Sequence, residues 1–267
     1  MSKRGTSPLE EGGRDVSEEA AQKQGRYLYA IVPGNGSRTY GDFGLNKSRV
    51  YAVSDAHLAA VVSDVPNGKI RPERQHLAAH QEVLKRLMAE TAVLPVSFGV
   101  VAEGPQALRR VLTENREALL EQLDRLAGKV EMGLRITWDV PNIFEYFVNT
   151  HPELRAARDR LLGPQGQPTQ NDKIELGRMF DRLLNEDREA HITRTEEVLA
   201  PRCVEVKRNP PRSEGEVANL ACLVERTAQA SFEEGVFEVA KSFDNNFAFD
   251  FNGPWPPYNF VQIRLDL

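Results

Sequence analysis

The sequence predicts an α+β fold in two units, and three observations carry that prediction. The first is a two-residue alternation at 130–138, where Val130, Met132, Leu134, Ile136 and Trp138 interleave with Glu131, Gly133, Arg135 and Thr137. Such a strand buries one face and wets the other. The second is a pair of leucine runs at helical spacing on either side of the apolar segment 93–101. The third is a long mixed-charge segment, 171–199, that keeps a narrow apolar stripe and is followed by further strand-like runs.

Residues 1–25 mix Gly, Ser, Glu and Lys with almost no apolar content and read as a disordered lead. Tyr27-Leu28-Tyr29-Ala30-Ile31-Val32 is a dense strand signal, halted by Pro33-Gly34-Asn35-Gly36. That loop has neither GxGxxG nor GxxxxGK[ST] spacing, and no helical pattern follows it, so a nucleotide site is set aside. Residues 49–53 and 58–63 give two short strands around Asp55-Ala56-His57. Arg71-Pro72-Glu73 opens a helix that carries Leu77, His80, Leu84 and Leu87 on one face. Segment 93–101 reads as a buried strand interrupted at Pro95, which marks an edge or a bulge. Gly104-Pro105 opens a second helix, with Leu108, Leu112, Leu119, Leu123 and Leu126 in phase and Gly128 ending it. Together with the strand at 130–138, this order describes residues 26–140 as an N-terminal ferredoxin-like domain, a sheet with its helices on one face.

Residues 141–267 read as a helical segment followed by a C-terminal α+β domain. Short helices at 142–150 and 152–162 end at the loop signal Gly163-Pro164-Gln165-Gly166-Gln167-Pro168. The helix at 171–199 carries Leu176, Phe180 and Leu183 as its stripe; it either leans on its neighbours as a solvated helix or pairs with a partner's helix. Strands at 203–207 and 217–225, a helix at 228–241 and the alternating Phe247, Phe249 and Phe251 complete the unit. Gly253-Pro254-Trp255-Pro256-Pro257-Tyr258-Asn259-Phe260 is a stiff corner, because each proline fixes φ and removes a donor. Beyond it Val261, Ile263 and Leu265 alternate with Gln262 and Arg264 as a closing strand. The corner reads as structural, packing Trp255 against the domain it closes. It is not a PPxY ligand, since Tyr258 directly follows the second proline.

Of the 267 residues, 40% are hydrophobic and 27% charged, a soluble globular balance. No apolar stretch approaches the roughly 20 residues that span a bilayer, and Met1-Ser2-Lys3-Arg4-Gly5 lacks the apolar core of a signal peptide. Cys203 and Cys222 offer no disulfide framework, so the reading is cytoplasmic. Residues 1–140 carry 19 basic and 18 acidic side chains, residues 141–267 carry 15 and 21. The balance argues against a nucleic-acid partner, which needs a basic face.

Few residues invite chemistry. His76 and His80 stand four apart on a helix and could share a metal, but no third ligand is evident and Leu77 occupies the glutamate position of HExxH. A packing role for His80, on the apolar stripe, is the simpler reading; His57, His151 and His191 are isolated. Cys203 and Cys222 each sit in an expected strand as small apolar residues, with facing strands able to bring them together. Asp139 reads as a strand-end turn residue. No catalytic, cofactor-binding or metal site is assigned.

Several of these blocks, in order, resemble the gas vesicle protein F/L family. They are Tyr27–Val32, Leu58-Ala59-Ala60-Val61-Val62-Ser63, Val93-Leu94-Pro95-Val96-Ser97-Phe98-Gly99-Val100-Val101, the run from Gly128-Lys129-Val130-Glu131 through Trp138-Asp139, and 253–261. Ile174-Glu175-Leu176-Gly177-Arg178 looks more like the F branch. The resemblance implies a non-enzymatic gas vesicle accessory protein with an N-terminal ferredoxin-like domain and a C-terminal α+β domain. Its implied partners are the small hydrophobic shell protein, kept from aggregating during nucleation and assembly, and other accessory proteins, with no membrane or nucleic acid involved and no cofactor. The competing class is a small-molecule sensor or enzyme on a ferredoxin-like sheet.

Overall fold

The computed structural model describes residues 24–66, 68–162 and 168–263. Nearly all of the expected lead, part of the loop at 163–168 and the end of the expected closing strand, Arg264 and Leu265 included, lie outside these residues. The first sheet begins with β1 (Gln24–Pro33), β2 (Thr39–Gly41), β3 (Val50–Ser54) and β4 (Leu58–Pro66). Helix α1 (Arg74–Glu90) then leads to two short pieces, β5 (Leu94–Pro95) and β6 (Val101–Ala102). All pairings are antiparallel, in the order β2-β3-β4-β1-β5, with β6 also on β1. The order β5-β1-β4-β3 is ferredoxin-like, but the connection from β1 to β3 carries β2 and a 3-10 turn (Leu45–Lys47) instead of a helix.

Helices α2 (Pro105–Glu114) and α3 (Arg116–Leu126) follow; the single helix expected at 104–126 breaks at Asn115, whose side chain donates to the Val111 carbonyl at 2.9 Å. These helices do not share a face with α1. Tyr27, Tyr29 and Val61 pack on the side of Val83, Leu84 and Leu87, whereas Leu28, Ile31 and Val62 pack with Leu108, Leu112, Leu119 and Leu123. Two covered faces explain the unbroken apolar run of β1, which one-sided burial would have made alternate. A bulge at Tyr29 puts Tyr29 and Ala30 on the same side as Tyr27, and Ile31 returns to the side of Leu28.

Two further expectations shift here. The buried stripe of α1 is His80, Val83, Leu84, Leu87 and Met88; it starts one turn later than expected, leaving Leu77 42% exposed. Segment 93–101 is not one strand, although Pro95 does sit at the sheet edge. It touches β1 at both ends and loops away between them, with the Val96 amide on the Tyr29 carbonyl and the Val100 carbonyl on the Leu28 amide.

The second sheet opens with β7 (Lys129–Trp138). Sequence alternation assigned this strand to the first sheet; it pairs instead with strands far downstream, Met132 against Cys222 and Ile136 against Phe249. Alternation fixes which face is buried but says nothing about the partner. After β7 come α4 (Ile143–Thr150), α5 (Pro152–Leu162) and α6 (Gln170–Leu199), then β8 (Glu205–Arg208), β9 (Glu216–Glu225), α7 (Gln229–Ala240) and β10 (Phe247–Trp255). The antiparallel order is β10-β7-β9-β8. Helix α6 starts at a capping box between Thr169 and Asp172. Its stripe is already occupied: Leu176, Phe180, Leu183 and Leu184 are buried, and the Phe180 ring meets Phe144 and Phe147 at 5.4 and 5.5 Å. It leans on its own sheet, so no apolar seam remains for a partner's helix.

The end of the chain differs most from expectation. The strand precedes the corner, through a cis Gly253-Pro254 bond, and Tyr258–Phe260 is a 3-10 turn instead of the start of a strand. Pro256 and Pro257 donate nothing to a ladder, and the turn drives Phe260, fully buried, among Leu119, Leu123 and Leu223. Among the described residues no helix is long and apolar enough to cross a membrane.

Candidate functional site

Segments 26–32, 93–101, 128–139 and 253–261, scattered along the chain, meet at one junction between the two sheets. Its centre is His80, 2% exposed on the sheet-facing stripe of α1. His80 Nδ1 lies 2.8 Å from Tyr27 Oη, and Nε2 lies 2.8 Å from Tyr258 Oη. The Gly99 amide also donates to Tyr27 Oη at 3.2 Å. Burial lowers the His80 pKa to about 4, so the ring is neutral near pH 7, and burial raises both tyrosines well above their ordinary value. Phe98 closes the cluster edge-on, 5.9 Å from the Tyr27 ring and 5.8 Å from His80.

Beside His80, Tyr29 Oη donates to Ser63 Oγ at 3.1 Å and accepts the Leu45 amide at 2.9 Å. Gly44 is required there, because a Cβ would stand 2.4 Å from Ser63 Oγ and 2.6 Å from Tyr29 Oη.

Glu131 forms the second half of the junction. It is 8% exposed, and its carboxylate accepts from the Asn259 amide at 2.8 Å and from Asn259 Nδ2 at 2.7 Å. Burial raises its pKa, while the two Asn259 bonds and the charge of Lys207 oppose that shift. Lys207 Nζ donates to the Asn259 carbonyl at 2.9 Å, and Arg125 donates to the Phe260 carbonyl. Gly253 passes so close to β7 that a Cβ would lie 2.7 Å from Met132 Sδ, at a φ of +137° that favours glycine. Trp255 is held by its indole N–H on Asn252 Oδ1 at 2.7 Å and by Lys85 Nζ 4.6 Å over the ring. The Tyr27–His80–Tyr258 and Glu131–Asn259 contacts fasten the two sheets together.

The sequence picked out His80 for packing, and the structure agrees, but its hydrogen-bond partners lie 53 and 178 residues away. Glu131 was missed, because alternation placed it on a wet face that Asn259 in fact covers. His76 does not converge on His80: it is half-buried, contacting the Arg71 carbonyl at 3.0 Å and Asn46 Oδ1 at 3.1 Å. Among the described residues no group of three or more His, Cys, Asp and Glu could hold a metal. His151 stacks on Phe147, and His191 sits against Phe243 and Phe247. Facing segments do bring the cysteines together: both are free, and the contact with Cys222 lowers the Cys203 pKa while the same contact, and then burial, raise that of Cys222. The Asp139 amide donates to the Asn246 carbonyl at 2.7 Å, closing a strand end.

A family model described as gas vesicle synthesis protein GvpL/GvpF matches residues 25–262. Gas vesicle protein F of Streptomyces sp. (strain CB03234) is 32% identical over 205 residues, covering 77% of this chain and 84% of that protein. Gas vesicle protein F of Dolichospermum flosaquae is 25% identical over 240 residues, covering 89% and 97%. The crystal structure of the gas vesicle protein GvpF from Anabaena sp. PCC7120 superposes with a TM-score of 0.78 at 25% identity, over 90% of this chain and 99% of that one.

Proposed function

We propose a role that proceeds from one premise: this chain belongs to the gas vesicle synthesis protein GvpL/GvpF family, with its F branch favoured. It is therefore a gas vesicle accessory protein. In the proposed role it binds the small hydrophobic shell protein at the gas vesicle within the cytoplasm and keeps it from aggregating during nucleation and assembly, alongside other accessory proteins. No catalytic step is part of this role.

The observation that carries the reading is the family match along nearly the whole folded chain. A surface feature supports it. Phe237 on α7 is 60% exposed and its ring lies 6.3 Å from Phe251 on β10, the rim strand of the second sheet. A subunit that polymerises through strands and apolar faces needs them covered before assembly, and an open rim beside the exposed Phe237 offers both strand addition and apolar contact. The test is co-expression with the major shell protein, followed by pull-down and assay of its soluble fraction. Capture together with more soluble shell protein is expected. An unbound shell protein that aggregates as it does alone refutes the role.

A further inference from the structure

Away from the junction, a cleft of about 520 Å³ opens at the corner where β2, β3 and β4 meet the start of α2. Arg26, Arg38, Arg49 and Arg109 line it, against the single carboxylate of Asp64. Four guanidinium groups around one cleft are conspicuous in a chain whose formal net charge is −5. Asp64 is already engaged, ion-paired with Arg26, whose Nε lies 3.1 Å away, and accepting from Tyr51 Oη at 2.5 Å. Arg49 faces Asp42 at 3.4 Å with both side chains more than 60% exposed, and Arg38 reaches Glu90, also on the surface. Exposed pairs of this kind contribute little and exchange readily. Arg109 makes no ion pair among the described residues. Helix α2 begins at Pro105 on the cleft wall with no side-chain cap and no acidic residue in its first turn, so its positive end adds to the same potential.

We propose that this cleft binds a small polyanion, with Arg49 and Arg109 holding its phosphate or carboxylate groups and Tyr51 forming part of the wall. The guanidinium fork matches both oxyanions two bonds at a time, and several forks around one cleft select multiply charged ligands over chloride. The proposal is independent of shell-protein binding. The test is calorimetric titration of the full chain with pyrophosphate and, in a parallel arm, with citrate, at ionic strength matched by sodium chloride. Saturable binding of either probe is expected, the stronger arm identifying the oxyanion. The double variant Arg49→Gln/Arg109→Gln should weaken it at least ~10-fold, while Arg178→Gln, an exposed arginine on α6, should leave it unchanged. Both replaced arginines are exposed, so the variant should melt at the same temperature as the parent. Absence of saturable binding of both probes, or equal weakening by Arg178→Gln, overturns the proposal.

Discussion

Strand β1, inside the first sheet, and strand β10, at the rim of the second, are 10 and 9 residues long and have opposite surroundings. Tyr27 to Val32 of β1 are all at most 1% exposed, with strands on both sides and helices on both faces. In β10, Phe247, Phe249 and Phe251 are only half-buried, Ala248, Asp250 and Asn252 are exposed, and one side of the ladder pairs with no described strand. A strand enclosed on every side can only support the fold. The rim strand, with half-covered aromatics and one open side, leaves a ladder edge and apolar surface that the enclosed strand does not.

Three experiments break or sharpen that contrast, in decreasing order of effect on stability. Phe260→Ala removes the fully buried ring that ties the C-terminal turn to α3 and β9. It should cost about 3–5 kcal/mol in urea denaturation, as large aromatic deletions in cores do; a cost near that of a surface change would mean the sheets are not joined through this turn. Acid should act next, through His80. Its folded pKa of about 4 lies below the ordinary 6.5, so the unfolded chain binds the extra proton first and stability falls as pH drops from 6.5 towards 4. The loss should reach roughly 3 kcal/mol at the acid end, and His80→Gln should remove that slope; an unchanged slope would locate acid sensitivity elsewhere. Smallest is Phe237→Ser, which should change stability by no more than about 0.5 kcal/mol because the ring is already exposed. The same variant should lower shell-protein capture in the pull-down, and full capture would move the binding surface away from the rim of β10.

Much of this contrast could be read in the residues. The unbroken Tyr27–Val32 run announced a deeply buried strand, and the helical stripes gave α1 and α6 nearly to their ends. What the stripes could not reveal was the side of the sheet each helix would cover, because an amphipathic helix looks the same above or below it. The alternation of β7 likewise left its partners open, and those partners turned out to be β9 and β10. At the end of the chain, Val261 and Ile263 imitated the start of a strand, but the prolines before them break the ladder and burial of Phe260 prevails. The junction itself was half legible. His80 lay on an apolar stripe, which signals burial, while Tyr27, Tyr258 and the Glu131–Asn259 contact are long-range pairings that local pattern does not encode.

The contact between His80 and Tyr258, 178 residues apart, also constrains how the molecule is made. During synthesis α1 leaves the ribosome long before residue 258 is added, so until then His80 Nε2 and the carboxylate of Glu131 lack the partners that satisfy them in the finished fold. A chain interrupted before the Gly253–Phe260 corner would carry both sheets but neither fastening, with Gln122, Arg125 and Lys207 reaching towards backbone that is missing. The corner therefore supplies the last partners of the junction, and these groups are satisfied only once translation has passed it.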